Sequence, residues 1–150
     1  MLCIALIGSL ASSCTSGSHS FLIVQTCLVD VRGVEDFVGE MRAIASAEHM
    51  EFLDANDQVA RQLRSANSPL EERSHGSRIV DVSVQRADGM GVTAVNHGLP
   101  AFEIALGFSE GRDAESARAF ADRVVARLGS RWPLTQVPSG MGAKPRGGCP

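Results

Sequence analysis

Four histidines, at positions 19, 49, 75 and 97, and four cysteines, at 3, 14, 27 and 149, are the residues with the widest chemical reach in this chain. The histidines have neither HxxxH nor HExxH spacing, and no CxxC occurs. The pattern therefore predicts no metal site and no cofactor. His97 is the histidine best placed for acid–base work. It sits in Asn96-His97-Gly98, between a glycine-rich turn and a strand near Phe102, with Asp88 and Glu103 as the acids that could orient it. A histidine held by a carboxylate can act as the general base of a hydrolase. No GxSxG elbow or other nucleophile context is expected to accompany it, and turns select Asn, Gly and polar side chains for backbone reasons alone. No catalytic residue is therefore expected. Gly89-Met90-Gly91 lacks the lysine and the following helix of a phosphate loop. Gly107 to Gly111 does precede a helix, but Glu110, Asp113 and Glu115 already supply negative charge there, so self-capping is expected in place of anion binding.

The elements that must position these residues follow from apolar spacing. Phe21 to Val29 is β-branched and apolar, and reads as a strand buried on both faces and paired on both sides. Gly33 is expected to end the turn after it. Val34, Phe37, Met41, Ile44 and Ala45 recur at helical spacing, with Glu35 and Asp36 placed in the first turn and His49 at the helix end, where a cation suits the dipole. Met50 to Leu53 reads as a short strand and Asp57 to Leu63 as one or two helical turns. Ser65 to Arg78 holds Leu70 as its single large apolar residue and is expected to be a mobile loop. Ile79 to Val84 alternates, as do Phe102 to Ser109, the pattern of strands with one wet face. Turns are expected at residues 87–91 and 96–100. Asp113 is the expected N-cap of a helix with an apolar stripe of Ala117, Phe120, Ala121, Val124 and Leu128, with Gly129 at C′. Trp132 to Val137 reads as a final strand that Pro133 confines to an edge. Two amphipathic helices separated by strands imply an α+β fold: a two-layer sandwich, mostly antiparallel, with both helices on one face, ferredoxin-like in element order. Such a superfold hosts many activities and identifies none.

The N-terminus carries the clearest address. Met1 to Cys14 reads MLCIALIGSLASSC: an apolar run from Leu2 to Leu10, then small residues, then cysteine. A run of about nine apolar residues is too short to span a bilayer core, which needs roughly 20. The segment resembles a bacterial lipoprotein signal, with Ala11-Ser12-Ser13-Cys14 in the place of the lipobox. Ala11 stands where that motif has a leucine-like residue, and no Lys or Arg precedes the run. Ala11 and Ser13 also suit ordinary small-x-small signal cleavage, and a buried first strand is the other reading. The resemblance implies that residues 1–13 are a signal peptide, that Cys14 is lipidated, and that residues 14–20 are a flexible tether carrying His19. Residues 21–137 then form a single α+β domain and residues 138–150 a Gly/Pro-rich tail. It further implies the cell envelope on the periplasmic side, with Thr15 directing an outer-membrane destination in a two-membrane cell. On the same premise Cys3 is removed and Cys14 acylated, which leaves Cys27 and Cys149 with one possible pairing, a disulfide tying the tail to the first strand.

The chain of 150 residues is 44% hydrophobic and 21% charged with net charge −3, an ordinary single-domain composition. A mildly acidic body argues against nucleic acid, whose phosphates need a basic face. The expected function is that of a non-catalytic envelope lipoprotein. It binds a protein partner in the envelope, one form being an inhibitor or immunity protein against an envelope-acting toxin, and it touches the membrane through its lipid. Asn96, His97, Asp81 and Glu103 are the candidate contact residues. The alternatives are a small periplasmic hydrolase using His97 and a structural component of an envelope assembly.

Overall fold

A computed structural model describes residues 20–66, 79–100, 102–138, 142–145 and Cys149. The first strand, β1 (Leu22–Cys27), leads into α1 (Val31–Ala47), β2 (Glu51–Asp54) and α2 (Asn56–Ser65). Three strands follow, β3 (Asp81–Gln85), β4 (Met90–Val95) and β5 (Glu103–Glu110), then α3 (Ala114–Gly129) and a two-residue β6 (Thr135–Gln136). The fold is α+β, as the residue pattern implies. The strands form one antiparallel sheet in the order β2-β3-β4-β5-β1-β6. That order, and a third helix among the described residues, depart from the ferredoxin-like order and the two helices expected. Asn56 to Ser65, read as a turn or two, is a full helix. Most of the Ser65–Arg78 loop lies outside the described residues, as do the signal segment and nearly all of the tether.

Strand alternation divides the sheet into two unlike faces. Val24, Val82, Val84, Val92, Ala94, Ile104, Leu106 and Phe108 are buried on one of them, in register across four strands. Helix α1 covers it over β2 and β3, and α3 over β5 and β4. The helices contribute Val34, Phe37, Met41, Ile44, Phe120, Val124 and Leu128. Burying one such side chain stabilises by about 1.5–3 kcal/mol relative to exposure, so this layer holds the fold. An ion-pair ladder on the outer surface ties the two helices together. Arg123 Nε and Nη2 donate to Glu48 at 2.9 and 2.7 Å, Arg127 donates to Glu40, and Arg131 Nη1 reaches Glu40 at 2.8 Å. Arg127 and Arg123 hold the carboxyls of Glu40 and Glu48 below the usual glutamate value.

The helix ends correct three expectations. Helix α1 starts before Gly33, because Asp30 is the cap and its side chain accepts from the Gly33 amide at 2.9 Å. Gly33 therefore lies in the first turn, and Glu35 and Asp36 lie beyond it. His49 does more than face the dipole. It occupies the left-handed C′ position at φ 54°, while Met50 N–H bonds Ala45 C=O and His49 N–H bonds Ser46 C=O, a Schellman closure. Gly129 is the last helical residue of α3 and Ser130 is the cap. Asp113 caps α3 as read, accepting from Glu115 N and Ser116 N, with Ser116 Oγ also donating to it.

Candidate functional site

Antiparallel pairing gathers the C-terminal ends of β1 and β4 and the N-terminal ends of β3 and β5 at one end of the sheet. The turn after β4 projects from that end. Leu99 N–H closes it on Asn96 C=O, Gly98 takes φ 85°, and Leu99 is buried as its anchor. A positive φ is open to glycine without steric cost, so Gly98 lets the chain reverse there. This turn brings His97 over the start of β3. His97 Nε2 lies 3.1 Å from Asp81 Oδ2, with the two side chains 32% and 24% exposed. Asp81 is held from its backbone side as well, since its N–H donates to Asn56 Oδ1 at 2.6 Å. The arrangement is a carboxylate–imidazole pair, wet at its rim and positioned by a turn, a strand start and the first residue of α2. The carboxylate favours the tautomer with the proton on Nε2, which leaves Nδ1 an acceptor.

Asp81, and not Asp88 or Glu103, is therefore the acid beside His97. Asp88 belongs to the β3–β4 hairpin at the opposite end of the sheet, where Arg86 forks onto it at 2.9 and 2.6 Å and holds its carboxyl far below the ordinary range. Glu103 is fully enclosed, its Oε1 accepting from Gln25 Nε2 at 3.0 Å. Asn96 is also enclosed, its Oδ1 accepting from the Val80 amide at 2.8 Å. Of the four candidate contact residues, Asp81 and His97 are brought together and reach solvent, while Asn96 and Glu103 are enclosed. The same end carries two exposed apolar side chains that the sequence reading did not single out, Val29 and Val31 at 74% and 42% exposure. The run Val29-Asp30-Val31 between strand and cap could have marked them, since a core strand has no reason to extend apolar residues into a helix cap.

The expectation that no GxSxG motif accompanies His97 is corrected by the chain itself. Gly107-Phe108-Ser109-Glu110-Gly111 satisfies GxSxG, the signature of a nucleophile elbow. An elbow places its serine on a sharp strand-to-helix turn. Ser109 instead lies within β5, and its hydroxyl donates to Gly89 C=O at 2.7 Å. It is six residues along the strand from Glu103, so it sits roughly 20 Å from the His97 end. The serine and the histidine do not form a catalytic unit.

The cysteines are the other chemical feature. Cys27 and Cys149 lie at disulfide distance, with sulfurs 1.97 Å and Cα atoms 5.3 Å apart. The tail approaches β1 again at Lys144, whose carbonyl accepts from Gln25 Nε2 at 2.8 Å. Among the described residues no cluster of three or more potential metal ligands occurs, and no helix is long and apolar enough to cross a membrane. Comparison with protein-family models and with curated proteins finds no match to this chain.

Proposed function

We propose that this chain is a non-catalytic lipoprotein of the bacterial cell envelope, lipidated at Cys14, which binds a protein partner through the sheet end carrying Asp81, His97, Val29 and Val31. An inhibitor or immunity protein against an envelope-acting toxin is the specific form of this reading. The observation that carries it is the Cys27–Cys149 pair at bonding distance, in a chain whose first residues resemble a lipoprotein signal. Disulfides persist outside the cytosol, so the two features support the same address from opposite ends of the sequence. The partner assignment is supported by what one end of the sheet carries. Two exposed valines after β1 supply apolar contact area, and the fixed polar pair at the β3–β4 side of the same end supplies a directional hydrogen-bonding group.

Two measurements test the reading. Intact mass of the protein from a membrane fraction should correspond to a chain beginning at acylated Cys14 with no free Cys27 or Cys149 thiol. Recovery of unprocessed chain with Met1 in place and reactive thiols would overturn the address. A photo-crosslinker at position 97 should give one discrete adduct in intact cells, and the same probe at Arg118, on α3, should not. Equal labelling from both positions would remove the partner assignment.

A further inference from the structure

The imidazole of His97 has two hydrogen-bonding positions, and the fold uses one of them. Nε2 lies 3.1 Å from Asp81 Oδ2. A carboxylate only accepts, so the proton of the neutral ring sits on Nε2 and Nδ1 is left as an acceptor. Among the described residues nothing donates to Nδ1. No buried side-chain nitrogen or oxygen among them lacks a partner either, so this open nitrogen reaches solvent. The ring that carries it is held in place. Leu99 is buried as the anchor of the turn, and its N–H bonds Asn96 C=O at 3.1 Å. Asp81 is fixed through its main chain on both sides: its N–H donates to Asn56 Oδ1 at 2.6 Å, and its C=O accepts from Ala55 N–H at 2.9 Å. The result is an acceptor of set direction beside a carboxylate, at the sheet end that also carries Val29 and Val31.

We propose that His97 Nδ1 accepts a hydrogen bond from a lysine or arginine side chain of the partner, and that protonation of the imidazole releases it, so that binding at this end holds near neutral pH and is lost in mild acid. This deepens the partner-binding reading and rests on it. With the ring neutral, the pair carries one negative charge, on Asp81, and offers an acceptor beside it. A cationic N–H donor is favoured by both. Once the ring takes a proton, Nδ1 becomes a donor and the charges of the pair cancel, so the same cation meets an N–H on a positive ring. Protonation leaves Nε2–H on Asp81 and adds attraction between them, so the turn stays where it is while Nδ1 changes role. Histidine is the side chain whose ordinary titration falls between pH 5 and 8, and carboxyl groups as a class titrate lower. The charged groups on the surrounding elements are Asp81 of β3, Asp54 of β2, Asp57 of α2, Glu103 of β5, which Gln25 holds, and Asp30 and Arg32 where the chain enters α1. None of them is an imidazole. His49 precedes β2, whose first residue pairs with Gln85 at the opposite, hairpin end of the sheet. His19 and His75 lie outside the described residues.

The test has one arm on purified protein and one in cells. In the first, nitrogen-15 NMR of histidine-labelled protein reads the ring directly, with a His97→Gln chain to assign the signal. His97 should carry its proton on Nε2 at pH 8 and gain the second between pH 8 and pH 5, with Trp132 fluorescence unchanged. A proton on Nδ1 at pH 8, no titration in that window, or loss of the Trp132 signal with it overturns the proposal whatever the partner. In the second arm a photo-crosslinker replaces Val29 in intact cells held at pH 7.5 or 5.5. The discrete adduct should be at least tenfold more abundant at pH 7.5, and a His97→Gln chain, whose amide cannot take up a proton, should bring that ratio to within twofold. Equal adduct at both pH values, or a ratio that persists in the His97→Gln chain, refutes the switch while the partner-binding reading stands. No adduct at either pH removes that reading and this proposal with it. Mass spectrometry of the adduct should find lysine or arginine within a few residues of the crosslink, and a segment with neither refutes the cationic donor.

Discussion

Cutting the Cys27–Cys149 link should destabilise the fold chiefly through the unfolded chain. The pair closes a loop with a sequence separation of 122, and chain-entropy arithmetic assigns such a loop a ceiling of about 5 kcal/mol. Bridges of this kind deliver less than that ceiling, typically about 2–4 kcal/mol. We expect a net loss of about 3 kcal/mol, or about 10 °C in Tm for a domain of this size. The assay is urea unfolding of the oxidised protein against a Cys27→Ala, Cys149→Ser double variant, followed by Trp132 fluorescence. Two parameters decide the outcome. The midpoint should fall, and the m-value should rise, because an uncrosslinked unfolded chain exposes more surface. A lower midpoint with an unchanged m-value would place the loss in native contacts and refute the entropic account. An unchanged midpoint would show that the bond contributes nothing.

Other outcomes follow from particular residues. Glu40 and Glu48 have folded-state pKa values lowered by Arg127 and Arg123, so their stabilisation is complete above their usual value of 4.5 and is lost as pH falls through the lowered values. Thermal melts should show that acid limb, and a Glu40→Gln, Glu48→Gln variant should lack most of it. His49 holds a left-handed C′ position that glycine adopts without penalty, so His49→Gly should raise stability by about 1 kcal/mol in urea unfolding, and a loss would contradict the Schellman assignment. Asn96→Ala strands the buried Val80 amide at a cost of about 1–3 kcal/mol, whereas Asn96→Asp, which keeps an acceptor, should lose less; equal losses would refute a role for the acceptor.

Much of the fold was legible because its causes are local. The stripe from Ala117 to Leu128 and the Asp113 cap specify α3 within a few turns of chain. The alternation of Val80, Val82 and Val84, and of Ile104, Leu106 and Phe108, specifies which side chains face the helices. The start of α1 was misplaced because two signals competed. Gly33 suggests a turn, but Asp30, three residues earlier, captures the Gly33 amide and draws the glycine into the helix. The acid beside His97 was misjudged for a different reason. Asp88 and Glu103 are nearer to it in sequence than Asp81 is, but Asp88 lies at the far end of β4 and Glu103, at the start of β5, is enclosed against Gln25. Asp81 reaches it only because β3 and β4 pair in a register that sets Asp81 opposite Val95.

What the sequence determined by itself was therefore the class of the fold, the buried stripe of each helix and the inward face of each strand, together with the resemblance of its first residues to an export signal. Periodicity, capping and composition act over distances of a few residues, and these properties need nothing more. The order of strands, the pairing of His97 with Asp81, the enclosure of Glu103 and the approach of Lys144 and Cys149 to β1 were decided by tertiary structure. Each depends on which distant segments share a sheet edge or a face, and that is settled by the collective burial of one apolar layer, a quantity that no local stretch of chain contains.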